Sequence, residues 1–179
     1  MESRIVFLTG GIGTGKTTLC LEAARLAQEN GRKLGGVVSP PVFEDGEKTA
    51  IEVRDLKTGT VRTLAVRKED QNAGGFSLCW DFDQEVVAWA NRAIAAAPPC
   101  EIFFLDELGP LEFIHGRGWT AGFDVLKEGE YQLAVVVIRP SLLEAAHNQW
   151  PEADTFQADR EASVHRQAAR LLARYPLDS

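Results

Sequence analysis

Several absences narrow the reading before any motif is considered. The chain has three cysteines, Cys20, Cys79 and Cys100, odd in number, far apart and set among apolar residues. That pattern argues against a disulfide framework or a thiolate metal site and predicts reduced core thiols. Its three histidines, His115, His147 and His165, lack the local spacing of a metal site. No apolar run approaches the roughly 18–20 residues of a membrane span, so no membrane partner is expected. An excess of basic residues is also missing: 19 Lys and Arg stand against 26 Asp and Glu, a net charge of −7. There is then no global positive field, which disfavours nucleic acid as a ligand without excluding a local patch. The sequence has no internal repeat, no low-complexity tract and no Asn-Lys-x-Asp, so base preference is not written in it. The N-terminus enters a strand without a signal-peptide layout, and the expected compartment is the cytosol. What remains is a single domain, residues 1–179, of ordinary globular composition.

What is present starts with Gly10-Gly11-Ile12-Gly13-Thr14-Gly15-Lys16-Thr17-Thr18. It follows the apolar run Ile5–Leu8 and precedes an amphipathic segment, which gives strand, glycine loop and helix in the pattern G-x-x-x-x-G-K-[ST]. A triphosphate needs several backbone N–H groups aimed at one point, and a chain nearly free of side chains curls tightly enough to supply them. The next helix adds unpaired first-turn N–H groups and the positive end of its dipole. Lys16 is assigned to the β- and γ-phosphates and the Thr17 hydroxyl to Mg²⁺. The expected ligands are ATP, GTP or other nucleoside triphosphates.

Beyond the loop, buried strands are expected at 4–9, 34–39, 102–105 and 133–138, with a weaker one at 155–157. Helices are expected from 19 to about 30, at 83–97, 120–127 and 141–149, and at the C-terminus. Alternating strands and helices imply a doubly wound, mainly parallel α/β sheet with helices on both faces. The region from about 42 to 80 differs. Asp45-Gly46 and Thr58-Gly59 mark turns between the short segments 49–54 and 61–66, which predicts an antiparallel β-ribbon insertion beside the main sheet. Residues 68–75 read as a polar loop and 76–80 as one further short strand.

Ligands of such sheets collect at the carboxyl ends of the strands. There the run Ile102–Leu105 leads into Asp106-Glu107. An apolar strand ending in Asp is the pattern that holds Mg²⁺ opposite the loop threonine. Glu107 is the candidate to orient the attacking water and accept its proton. In the P-loop superfamily, Asp-Glu here resembles the division of AAA-type and RecA-type ATPases, which sets an extra strand between the loop strand and the Asp strand. Leu133–Ile138 is the candidate, which brings Arg139 towards the γ-phosphate as a sensor or charge stabiliser, with a structural ion pair as the alternative. Arg117, in His115-Gly116-Arg117-Gly118, reads as a solvated loop arginine or a mobile arginine finger. The four tryptophans read as core residues before base-stacking platforms.

The segment Leu105-Asp106-Glu107-Leu108-Gly109-Pro110-Leu111-Glu112, together with the opening Thr9–Leu19 loop, resembles the small P-loop nucleoside-triphosphatases of the cancer-related or thermophilic type. The resemblance runs to about Arg139. It implies slow, base-tolerant, Mg²⁺-dependent hydrolysis on an AAA-like core, with Lys16, Thr17, Asp106 and Glu107 in the roles given above. Glu112 matches the block without a physical role. The sequence departs at 159–163, which lacks the Asn-Arg-Asp associated with that family's tail. Two other functions stay open: a nucleotide switch or cofactor-assembly adaptor with a protein partner, and a kinase of a small metabolite.

Overall fold

The computed structural model describes residues 3–68 and 79–177, with the Cys79 side chain left aside. A nine-stranded sheet organises them. Its parallel part consists of β1 (Arg4–Thr9), β2 (Leu34–Val38), β7 (Ile102–Leu108), β8 (Leu133–Ile138) and β9 (Asp154–Gln157). In space these run β2-β7-β8-β1-β9. Strand β8 therefore lies between β1 and β7 and pairs in parallel with both.

The central strands are buried on both faces, so successive residues feed two separate cores. Val6 and Leu8 of β1, Phe104 of β7, and Val135 and Val137 of β8 face one side. There α1 (Lys16–Glu29) and α6 (Val164–Arg174) pack through Leu19, Ala23, Ala27, Ala168 and Leu171. Phe7, Phe103, Val136 and Ile138 face the other side. That side is covered by α2 (Gln84–Ala95), α4 (Ala121–Glu128) and α5 (Leu143–Gln149). A four-residue helix, α3 (Pro110–Phe113), follows β7. The Asp83 carboxylate caps α2 by accepting the N–H groups of Glu85 and Val86. Cys20 and Cys100 are free and buried, as their apolar surroundings predict.

The sheet continues past β2 with antiparallel strands. These are β3 (Pro41–Glu44), β4 (Glu47–Asp55), β5 (Val61–Lys68) and β6 (Cys79–Phe82). β4 pairs with β2, β3 and β5, and β5 with β6. The segment is thus hydrogen-bonded to the main sheet and extends it, where the sequence suggests a ribbon lying beside it. Asp45 and Gly46 both take positive φ, 50° and 83°, between the paired residues Glu44 and Glu47. That is the two-residue turn whose twist suits a hairpin. Pro41 opens β3 where the Pro40-Pro41 pair reads as a stop; proline is tolerated as the first residue of an edge strand because its missing N–H is not needed there. Residues 69–75 of the expected polar loop and 76–78 of the expected short strand lie outside the described residues.

The join between β2 and β7 depends on Gly36. Its φ is +88°, and a Cβ there would stand 1.9 Å from the Phe104 carbonyl oxygen. A glycine at this point allows β2 to lie against β7 while its end reaches the site.

Candidate active site

The glycine loop leaves the carboxyl end of β1 and closes on itself. The Thr14 hydroxyl donates to the Gly11 carbonyl at 2.9 Å. Gly13 and Gly15 take φ of +75° and +79°, the left-handed region, which turns the chain into α1. Leu19 N–H donates to Gly15 at 2.8 Å and begins the helical ladder. The first-turn amides of Lys16, Thr17 and Thr18 have no acceptor among the described residues. Those amides and the helix dipole make an anion-binding concavity. The Lys16 ammonium curls over it, donating to the Gly10 and Gly11 carbonyls, each at 2.8 Å. Ile12 stands fully exposed at the tip.

Asp106 enters from two strands away. The strand does not stop at Leu105; β7 continues to Leu108, with its pairing to β8 skipping from Leu105 to Leu108. The Asp106 side chain is buried, and its Oδ2 accepts the Ser39 N–H at 3.2 Å. The Ser39 hydroxyl returns to the Asp106 carbonyl at 2.8 Å. Burial pushes the carboxyl up from 3.8 to about 6, against the Thr17 hydroxyl, the Ser39 N–H and the Lys16 charge. The structure thus brings Lys16, Thr17 and Asp106 to one region. It adds Ser39, at the carboxyl end of β2, the kind of position where ligands collect but one the sequence reading did not single out.

Glu107 is partly exposed and meets Arg139, at the end of β8. Arg139 Nε donates to Glu107 Oε1 at 2.8 Å, and Nη2 donates to the same oxygen. Of the alternatives the sequence leaves for Arg139, an ion pair is present, and its partner is the candidate base. Arg117 is exposed, with its backbone N–H on the Leu111 carbonyl at 2.9 Å and no side-chain ion pair among the described residues.

Glu112 acquires a physical role. Its buried carboxylate accepts the N–H of Gly109 at 2.8 Å through Oε2 and that of Trp119 at 2.8 Å through Oε1. One side chain thereby pins both ends of the loop that follows Glu107. Gly118, with φ +75°, lies so close that a Cβ would fall 1.9 Å from Glu112 Oε1. Burial raises the Glu112 pKa, and the two amides oppose that rise. The tryptophans are engaged elsewhere: Trp119 is buried, Trp150 stacks on Phe123, Trp89 lies under Arg62 and Trp80 under Lys48.

The residues present fit Mg²⁺. The Thr17 hydroxyl and the Asp106 carboxylate are hard oxygen donors. The carboxylate is buried with too few donors to hold its pKa at the ordinary value, a deficit that a divalent cation would relieve. Among the described residues no cluster of three or more His, Cys, Asp or Glu could cage a metal.

Comparison with known proteins identifies relatives of this chain. The sequence profile of the family described as NTPase matches residues 5–161. Nucleoside-triphosphatase THEP1 of Thermofilum pendens is 34% identical over 144 residues, 79% of this chain and 78% of the relative. The protein of the same name from Thermococcus kodakarensis is 31% identical over 137 residues, 73% of this chain and 74% of the relative. In structure, a human cancer-related nucleoside triphosphatase aligns with a TM-score of 0.68 at 21% identity, over 96% of this chain and 97% of that one. THEP1 from Aquifex aeolicus aligns with a TM-score of 0.57 at 15% identity, over 96% and 98% of the two chains. With the profile spanning most of its length, the chain belongs to the NTPase family.

Proposed function

We propose that this NTPase cleaves the β–γ phosphoanhydride of ATP, GTP and other nucleoside triphosphates with water, using Mg²⁺, Lys16 and Glu107. The observation that carries the reading is the buried Asp106 carboxylate, held by Ser39 within the electrostatic influence of Thr17 and Lys16 of the glycine loop. The amides of the loop and first helical turn bind the phosphates, and Lys16 exchanges the Gly10 and Gly11 carbonyls for β- and γ-phosphate oxygens. Thr17 and Asp106 hold the cation, which when bound neutralises charge on those phosphates. Glu107 orients a water and takes its proton as the water oxygen bonds to the γ-phosphorus and the bond to the β-phosphate oxygen breaks. Both Arg139 bonds fall on Oε1, so Oε2 is the oxygen left for water. Arg139 is then a positioning residue for the base. Support for the AAA- and RecA-like division comes from the strand order, with β8 between β1 and β7.

The test is phosphate release from ATP, GTP, CTP and UTP by the wild type and by Glu107→Gln. General-base removal is expected to lower kcat by about 10²–10⁴-fold, with nucleotide affinity kept within a few-fold. A Glu107→Gln protein turning over at the wild-type rate would show that another group activates the water. Tight binding with no release by the wild type would favour a switch.

A further inference from the structure

The antiparallel extension carries a cation into the same site. Strand β2 ends at the Ser39–Asp106 contact, and the chain turns directly into the β3–β4 hairpin. On that hairpin Lys48 pairs in register with Phe43. The Lys48 side chain is half-buried, and its Nζ lies 4.8 Å from the centroid of the Trp80 ring, on β6. The ring face attracts the ammonium and fixes its direction. Three charged groups from other elements lie within its electrostatic reach: Glu107, Asp106 and Arg139. None of the described carboxylates forms a direct ion pair with it.

A lysine on an alternating strand ordinarily sends its ammonium into water. This one is drawn back over a tryptophan, losing hydration without gaining an ion pair among the described residues, and burial lowers its pKa. The other cations of the site are already engaged: Lys16 by two carbonyls and Arg139 by Glu107. Among the described residues Lys48 alone of these cations lacks a bonded oxygen, and it stands within electrostatic reach of Glu107 and Asp106, which the terminal phosphate would approach. Glu107 and Asp106 offset only part of what burial costs this ammonium, which leaves it suited to an anion that enters.

We propose that Lys48 contacts the terminal phosphate of the bound nucleoside triphosphate, as a further catalytic residue delivered by the β3–β4 hairpin. The proposal rests on the hydrolase reading above and deepens it. It makes the antiparallel extension part of the site and gives it a task, sensing the third phosphate. An ammonium aimed at that group strengthens as charge moves onto it, and removing one such donor is expected to cost about 10–100-fold in kcat.

The experiment compares wild type, Lys48→Met, Lys48→Gln and Lys48→Arg. The readouts are phosphate release with MgATP and MgGTP, and equilibrium binding of ATP and ADP in Mg²⁺. The expected result is the kcat loss above for both neutral variants, with ATP affinity falling about fivefold or more while ADP affinity holds within twofold. Lys48→Arg should recover most of both. Neutral variants that keep kcat and the ATP-to-ADP affinity ratio within twofold of wild type would overturn the proposal. So would equal losses for ATP and ADP, which would mark a general effect on the loop. Should Lys48→Met fail to fold, Lys48→Gln gives the same reading. A wild type that binds ATP without releasing phosphate would refute hydrolysis, and the ATP-to-ADP ratio would still decide the role of Lys48.

Discussion

Replacing Asp106 with asparagine should stabilise the metal-free protein while abolishing turnover. The carboxyl is buried, and burial raises its pKa from 3.8 to about 6. A group with a raised pKa in the folded state favours folding fully only below its unfolded value, and that advantage is lost as pH rises through the folded value. At about 1.4 kcal/mol per pH unit, the ionised Asp106 costs the native state about 3 kcal/mol near pH 7.5 and about 1 kcal/mol near pH 4.5. Asparagine fills the same volume, keeps an acceptor for the Ser39 N–H and carries no charge. Some of the gain is lost because a neutral acceptor bonds that amide less strongly. The net expectation is about 2 kcal/mol near pH 7.5, or about 4–8 °C in Tm for a domain of this size. The assay is thermal or urea unfolding with a chelator present, at both pH values, beside phosphate release. Mg²⁺ should narrow the gap near pH 7.5, because only the wild type gains from the cation. A destabilised Asp106→Asn near pH 7.5, or a stability difference that does not shrink on acidification, would refute the reasoning.

Two other substitutions probe the groups around Glu107, the proposed base. In Glu112→Gln the amide offers one acceptor where the carboxylate serves two buried N–H groups, so either Gly109 or Trp119 loses its partner. The expected cost is about 1–2 kcal/mol, part of the usual 1–3 for an orphaned donor being offset by relief of the buried charge. Unfolding should report that loss, and kcat should fall more than KM changes, since the loop behind Glu107 is loosened; unchanged stability would refute the double-cap role. For Arg139→Ala, kcat should fall about tenfold with KM little altered, because Glu107 loses its orientation while the phosphate loop is untouched. Turnover at the wild-type rate would reduce the Arg139–Glu107 bond to a surface ion pair.

The parallel part of this fold is legible in the sequence because its strands are buried on both faces. Runs such as Ile5–Leu8 and Leu133–Ile138 have no polar alternation to confuse them with edge strands, and both are strands in the structure. The glycine loop reads equally well, since its backbone geometry restricts which residues it tolerates. Elsewhere the signal is tertiary. β7 runs through Asp106 and Glu107, charged residues that mark a strand's end in a linear reading but are accommodated here by a skip in pairing with β8. Pro41 hides a strand start for the reason that it tolerates an edge. Lys48 has the pattern of a solvated side chain, and only the pairing of β4 with β5 and of β5 with β6 brings it to Trp80. Glu112 could have been suspected from its place three residues after Gly109, the spacing from which a carboxylate returns to a helix's first amide. Its second bond, to Trp119, spans a loop whose course no local rule fixes.

The strand order explains why these residues come together at one edge of the sheet. With β8 between them, β1 and β7 stand two strand spacings apart, about 9–10 Å. The intervening strand has its own carboxyl end on the same edge of the sheet. Arg139 occupies that end, next to Glu107 on the neighbouring strand, so the guanidinium–carboxylate bond follows from adjacency in the sheet. β2 closes the far side by the same logic. Gly36 lets it approach β7, and Ser39 just beyond its end binds Asp106 through both backbone N–H and hydroxyl. The extension continues from that point, so the residues that fix the Asp106 carboxylate also set where the β3–β4 hairpin, and with it Lys48, begins.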